Sequence, residues 1–232
     1  MTGQVSIIAV DGPSGSGKGT ICQLLATRLG YHYLDSGAMY RLLALAAKRH
    51  KVALDDVEDL AVLAAHMDIS FRMNSSGGHP EVILEGEDVT QQIRSEDISA
   101  GSSLVAAIPA VRMALLERQR AFASAPGLVA DGRDMGTVVF PDAPVKIFLN
   151  ASPEERAKRR YNQLMDKGES VSLAALVENV RSRDERDMTR EVSPLVPAQD
   201  AVEIDTTGKD IQEVLNTVLD IVRTSEMSAQ RS

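Results

Sequence analysis

The chain of 232 residues has no tryptophan, and aromatic residues make up only 3% of it. Proteins that grip single strands of nucleic acid stack bases on aromatic side chains, and four Phe and four Tyr leave little for such a surface. Cysteine occurs once, as Cys22, which excludes an internal disulfide. The four histidines, His32, His50, His66 and His79, are scattered without metal-ligand spacing. Long hydrophobic runs are missing too. A stretch such as Leu42 to Ala47 falls far short of the roughly 18 residues that span a bilayer. The opening Met-Thr-Gly-Gln shows no basic segment leading into an apolar one, so no secretion signal is expected and the cytoplasm is the expected location. Positive charge is in deficit, with 25 Lys and Arg against 33 Asp and Glu and a net charge of −8. A chain so acidic is a poor general binder of nucleic acid or anionic membrane, and neither is expected as a partner.

What is present is ordinary for a folded domain: 44% hydrophobic and 25% charged residues. At about 150 residues per domain the length suits one or two domains. Short β-branched runs alternate with longer helical stretches. Strands are expected at Val5–Val10, Tyr31–Leu34, Leu128–Ala130, Val145–Leu149 and Val202–Ile204. Helices are expected at Lys18–Leu29, Ala38–Arg49, Asp56–His66, Pro153–Asp166, Leu173–Asp187 and Asp210–Val222. Strands alternating with helices imply a mostly parallel sheet covered on both faces. One segment breaks the rhythm. Ile69–Met73 alternates with period two, turn residues follow at Asn74–Gly78, a second strand is expected at Glu81–Leu84, and Glu85–Asp88 reads as another turn. An antiparallel meander, inserted at 68–103, is the expectation. The tail from Ser225 is small and polar, and fraying is expected there.

The strongest chemical signal is Gly12-Pro13-Ser14-Gly15-Ser16-Gly17-Lys18-Gly19-Thr20, with Gly12, Gly17 and Lys18 at P-loop spacing. It follows an apolar strand and opens a helix. Glycines let successive N–H groups turn toward phosphate oxygens, the helix N-terminus adds partial positive charge, and Lys18 adds a mobile full charge. The hydroxyl comes not directly after the lysine but at Thr20, after Gly19. Asp11 precedes the loop, either as a cap for the turn or as a holder of magnesium-bound water. No Asn in the chain is followed by Lys, so the guanine-reading motif usual in GTP-dependent switches is missing.

Four further segments point to a second anionic substrate. Asp35-Ser-Gly-Ala-Met-Tyr-Arg41 places Ser36 near a helix start, where its hydroxyl serves either as a phosphate donor or as a plain N-cap. Ala130-Asp-Gly-Arg-Asp-Met-Gly136 follows a strand, and carboxylates at the carboxyl end of a strand in an open α/β sheet lie in the ligand crevice. There either Asp131 orients magnesium water, with Arg133 and Asp134 facing the acceptor, or the segment is a turn whose Asp and Gly serve local hydrogen bonding. Ser152 with Glu155 reads as a capping box, behind which Arg156, Arg159 and Arg160 share one helix face, a solvated basic face or a polyphosphate site. Arg183, Asp187 and Arg190 likewise share a face, with Arg186 beside them and Asp184 and Glu185 expected to point elsewhere. Arginine forks bind phosphate through paired hydrogen bonds, and a surface salt-bridge ladder has the same pattern, so both readings stand.

Taken together, the motifs DGPSGSGKGT (Asp11–Thr20), LDSGAMYR (Leu34–Arg41), ADGRDMGTVVFPDA (Ala130–Ala143) and RDERDMTR (Arg183–Arg190) make the chain resemble the bacterial cytidylate kinases, from Val5 to about Val222. That resemblance implies an α/β fold: a P-loop NTPase core with a parallel five-stranded sheet flanked by helices, plus a small antiparallel β insert in the acceptor-binding subdomain. It implies a single kinase domain over 1–232, with the insert at 68–103 and a lid at 153–168. It implies that ATP, with Mg2+, binds at Gly12 to Thr20, with Thr20 toward the metal and its water on Asp11 or Asp131. Ser36, Arg41 and Arg133 then lie near the CMP phosphate. Ser103, Arg112 and Asp134 read the cytosine edge, Arg183 and Asp187 meet the pentose, and Arg190 bridges toward the phosphates. Lys18, Arg133, Arg156, Arg160 and Arg190 are the expected catalytic groups. Phosphorylation of CMP and dCMP by a monomer is the implied activity. A P-loop kinase for UMP, AMP or shikimate, and a non-catalytic nucleotide switch, are the other readings.

Overall fold

The computed structural model describes residues 5–72, 81–166 and 168–229. In chain order the elements begin with β1 (Ser6–Asp11), α1 (Lys18–Leu29), β2 (His32–Asp35), α2 (Ser36–His50) and α3 (Val57–His66). There follow β3 (Ile69–Arg72), β4 (Glu81–Leu84), β5 (Glu87–Asp88), α4 (Glu96–Val105), α5 (Pro109–Arg120) and β6 (Gly127–Gly132). The chain ends with β7 (Val145–Asn150), α6 (Pro153–Asp166), α7 (Leu173–Thr189), β8 (Val202–Asp205) and α8 (Ile211–Ala229). It divides into two compact units, Met1–Leu34 with Phe122–Ser232, and Asp35–Ala121. Among the described residues no single helix is long and apolar enough to cross a membrane.

The first unit is built on the expected five-stranded parallel sheet, in the order β2-β6-β1-β7-β8. Strands β1 and β6 are buried along almost their whole length, as their continuous apolar runs require of a sheet covered on both faces. On one face the sheet packs through Ile8, Val10 and Ile147 against Ile21 and Leu25 of α1 and Val218 of α8. Cys22 lies wholly buried in this cluster, one more small apolar side chain. A smaller cluster, Ala157, Leu164 and Leu176, joins α6 to α7. Helix α8 continues through Ala229, beyond Val222 and into the tail expected to fray.

The register of β1 and β6 sets where two charged loops meet. Asp11 pairs with Gly132 and Val10 with Asp131. Both strands run in parallel, so the loop after β1 and the loop after β6 emerge side by side at the carboxyl end of the sheet.

In the second unit, β3, β4 and β5 form a three-stranded antiparallel sheet. The segment Glu85–Asp88, expected to be a turn alone, also supplies the third strand. The expected meander is narrower than 68–103, because α4 begins at Glu96; neither α4 nor α5 is among the helices expected from the apolar pattern. Met73, the turn at 74–78 and Lys167 of the expected lid lie outside the described residues.

Candidate active site

The P-loop has the form its glycines predict. Gly12 has φ +146°, and a Cβ there would lie 2.0 Å from the Leu149 carbonyl oxygen of β7, so no side chain fits. Gly17 is the N-cap of α1 in the left-handed region, φ +93°. Lys18 is buried, and its Nζ donates to the Pro13 carbonyl at 3.1 Å. The same Nζ lies 3.7 Å from Asp131 Oδ1 at the end of β6. The Tyr33 hydroxyl donates to Asp131 Oδ2 at 3.3 Å. A Cβ at Gly19 would sit 3.5 Å from that oxygen, so Gly19 is the P-loop position facing Asp131, while Thr20 is exposed on the first turn of α1. Thr206, which no motif in the sequence singles out, closes the loop from behind by donating to the Ser16 carbonyl at 3.0 Å. The Ser16 hydroxyl oxygen is buried with no hydrogen-bond partner among the described residues.

Asp11 turns out to be the clamp between the two neighbouring loops. Its Oδ1 accepts from the Met135 amide at 2.7 Å and its Oδ2 from the Gly136 amide at 2.8 Å. The chain from Met135 to Val139 forms a π-helical turn closed by Phe140 N–H on the Met135 carbonyl. Burial pushes the Asp11 carboxyl up to about 7, against the pull of these two amides. Asp134 raises it further and Lys18 lowers it.

The arginines of α6 separate into different roles. Ser152 caps the helix by accepting from Glu155 N–H at 3.2 Å, but Glu155 turns to Arg159 at 3.3 Å, so only half of the expected capping box forms. Arg156, expected to face a polyphosphate, is instead 2% exposed with its donors engaged by protein. Nε donates to the Ala151 carbonyl at 2.9 Å and Nη1 to the Ser14 carbonyl at 2.9 Å, and the fork grips the Asp184 carboxylate. Asp184 therefore does not point away, because the buried Arg156 charge demands a partner. Arg159 reaches Thr206 through both Nη atoms, and its Nη1 would lie 3.7 Å from a Cβ at Gly17. Arg159 thus lies at the Gly17 side of the phosphate cradle, while Arg156 lies at its Ser14–Gly15 side. Arg160 is half-buried.

On α7 and the loop after β6 a charged cluster forms. Arg133 Nε donates to Asp187 Oδ2 at 3.0 Å. Burial opposes the Arg133 charge, but Asp187, Asp131 and Asp184 outweigh it and hold the guanidinium above its ordinary value. Burial likewise opposes the Asp187 charge, and Arg133, Arg183 and Arg190 outweigh it, holding that carboxyl below the usual aspartate value. Arg133, Arg183, Asp187 and Arg190 therefore act as one electrostatic group; helix spacing predicts the last three together, and the fold adds Arg133 from the loop after β6. Asp134 is 4% exposed beside it in sequence.

The second unit holds the remaining candidates. The cap of α2 is Asp35, whose Oδ1 accepts from Ala38 N–H at 2.9 Å. Ser36 is not a plain N-cap: it is the first residue of the helix, and buried. Asp35 Oδ2 also holds Arg41 Nη2 at 2.7 Å, while Arg41 Nε is buried with no hydrogen-bond partner among the described residues. The Arg112 guanidinium lies 5.5 Å from the centre of the Tyr40 ring, one turn beyond Ser36, and donates to the Ala106 carbonyl at 2.9 Å. Ser103 is buried on α4, and its hydroxyl likewise lacks a partner among the described residues. Partnerless buried polar atoms are costly, and they recur here at expected substrate-binding residues.

As for a metal, no cluster of three or more His, Cys, Asp or Glu among the described residues is placed to hold one. The available donors are hard oxygens, the exposed Thr20 hydroxyl and the Asp131 carboxylate. They fit Mg2+ carried in on a triphosphate, which binds through phosphates, waters and one or two protein oxygens.

Comparison with known proteins agrees with this geometry. The family model described as cytidylate kinase matches residues 8–224. A cytidylate kinase of Stutzerimonas stutzeri (strain A1501) is 58% identical over 97% of this chain and 98% of its own. That of Shewanella frigidimarina (strain NCIMB 400) is 60% identical over 96% and 97%. Among solved structures, a gluconokinase from Sinorhizobium meliloti 1021 is similar at 17% identity and a TM-score of 0.47, covering 99% of this chain and 98% of that one. With the P-loop, the loop after β6 and the arginine cluster of α7 all falling inside the matched span, the chain belongs to the cytidylate kinase family.

Proposed function

We propose that this chain transfers the γ-phosphoryl group of ATP to CMP and dCMP, giving ADP with CDP or dCDP. The observation that carries the proposal is the side-by-side exit of the P-loop and the Asp131–Gly136 loop from β1 and β6, tied together by Asp11, in a chain of this family. A phosphate oxygen of CMP attacks the γ-phosphorus, and the bond from that phosphorus to the bridging oxygen of ADP breaks. The nucleophile is already ionised near neutral pH, so no general base is needed. The transition state is loose and spreads charge over the equatorial oxygens, so catalysis is mainly in-line positioning and charge neutralisation.

Each residue has a role in that scheme. Gly12 to Thr20 hold the triphosphate through backbone N–H groups, with Lys18 on the outer phosphates. Mg2+ would sit at Thr20 and on water held by Asp131, since Asp11 is committed to the Met135 and Gly136 amides, and when bound it would neutralise phosphate charge. Arg159 and Arg160 from the 153–168 segment face the donor as a lid, and Arg156 supports the loop from beneath. Ser36, Arg41 and Arg133 take the CMP phosphate and Arg190 bridges toward the transferred group. Arg183 and Asp187 meet the pentose. Ser103 and Arg112 donate to cytosine acceptors, and Asp134 accepts from the cytosine amino group. The net charge of −8 favours small-molecule substrates over nucleic acid or anionic membrane, and a cytoplasmic monomer is part of the proposal.

The test is ADP formation from Mg·ATP with CMP, dCMP, UMP, AMP and shikimate in parallel. Fast turnover with CMP and dCMP, and little with the others, is expected, because a carboxylate at the base edge repels the uracil carbonyl. Turnover confined to another acceptor overturns the base-site roles. ADP that no acceptor stimulates overturns the kinase reading.

A further inference from the structure

We propose that Asp184 is a positioning residue that couples the donor and acceptor nucleotide sites, through its buried pair with Arg156. The inference rests on the proposed transfer from ATP to CMP. Arg156 makes three kinds of contact at once. It donates to the Ser14 carbonyl in the crown of the P-loop, to the Ala151 carbonyl just past β7, and to Asp184 on α7. Its stem also lies against the loop, since a Cβ at Gly15 would meet Arg156 Cβ at 3.2 Å. The arginine is 2% exposed, so its charge is tied to Asp184 with little screening by water.

Asp184 looks the other way as well. It attracts Arg133, and it stands one helical turn before Asp187, which pairs with Arg133 at 3.0 Å. Contacts thus run from Ser14 through Arg156 to Asp184, and from there charge attraction reaches Arg133, which Asp187 of the same helix holds and which is the arginine proposed for the CMP phosphate. The preceding peptide in the P-loop is held too, by Lys18 on the Pro13 carbonyl. Phosphates drawn into the loop act on both peptides. A shift of the Ser14 carbonyl moves Arg156, and the stiff fork passes the shift to α7, which carries Arg183, Asp187 and Arg190. Asp184 itself touches neither nucleotide in this scheme.

Coupling of this kind is reciprocal: the donor nucleotide tightens CMP binding by the factor by which CMP tightens donor binding. The experiment is isothermal titration of CMP into the protein, with and without a saturating β,γ-imido ATP analogue and Mg2+. The expected coupling factor for the unaltered chain is about fivefold or more. In Asp184→Asn it is expected to fall toward one, while each nucleotide alone binds within about threefold of the unaltered chain. The double variant Arg156→Met with Asp184→Leu removes both buried charges together, and it is expected to lose coupling also. A factor near one in the unaltered chain overturns the proposal, as does undiminished coupling in either variant. An unaltered chain that binds neither nucleotide overturns the phosphoryl-transfer reading itself.

Discussion

At the scale of single residues, Lys18, Gly12 and Asp11 each carry a distinct burden. Lys18 brings a full positive charge into a nearly buried site, and loss of one such donor to a developing charge costs roughly 3–4 kcal/mol. Lys18→Ala is therefore expected to lower turnover at least about a hundredfold in a coupled ADP assay, with a near-unchanged melting profile. Gly12→Ala behaves differently. Its Cβ would lie 2.0 Å from a backbone oxygen of β7 at a φ few side chains adopt, so the loop must move. A loss of roughly 1–3 kcal/mol or more of stability is expected in urea unfolding, together with loss of ATP-analogue binding. For Asp11 the pH dependence has a definite sign. Its folded value near 7 stands above the unfolded value of 3.8, so the folded state holds a proton that the unfolded chain releases. The stability this contributes is present below about pH 4 and is lost as pH rises toward 7, by up to about 4 kcal/mol. Unfolding at pH 5, 6, 7 and 8 is expected to show that decline in the unaltered chain and not in Asp11→Asn.

At the scale of elements, helix α2 depends on one carboxylate for two purposes. Asp35 caps the helix through Ala38 N–H and holds Arg41 through its second oxygen. Asp35→Ala is expected to cost about 1–2 kcal/mol from the lost cap. Arg41 is also released, so KM for CMP is expected to rise more than KM for ATP. Asp35→Asn keeps the cap and weakens only the charge pair. Equal effects of the two variants on KM for CMP would show that the pair with Arg41, which both disturb, is what matters; an effect of Asp35→Ala alone would assign it to the cap. The π-helical turn after β6 is a second such element. It exists because Asp11 takes the amides of Met135 and Gly136 while Val138 and Val139 N–H both turn to the Asp134 carbonyl. It fixes the chain directly after Arg133 and Asp134 against the end of β1.

At the scale of the whole molecule, each substrate binds the folded chain alone and must stabilise it by mass action. CMP at about a hundred times its Kd is expected to add about 2.7 kcal/mol, which for a chain this size raises Tm by roughly 5–10 °C in a scanning experiment. UMP at the same concentration is expected to add much less. The order of strands and helices in the first unit was legible in the sequence because buried parallel strands are apolar runs bounded by turn residues, and α1 and α6 have the expected bounds. The P-loop was legible because its chemistry is local, a run of backbone groups beside one lysine. Helices α4 and α5 were not legible, since α4 begins inside the stretch expected to be one antiparallel insert and α5 follows it with no motif to mark it. Nor were the partners of the charges. Spacing along α6 puts Arg156, Arg159 and Arg160 on one face, but only the packing of α7 sends Arg156 to Asp184 and leaves Arg159 beside Gly17. Asp11 next to the P-loop reads equally as cap or metal-water holder until strand pairing sets it against the amides of a loop more than a hundred residues away. By itself the sequence determined which residues form the phosphate cradle, because that chemistry needs only neighbours along the chain. The tertiary structure alone decided which charges pair with protein and which stay available to substrates, because pairing depends on distances that folding sets between segments far apart in the chain.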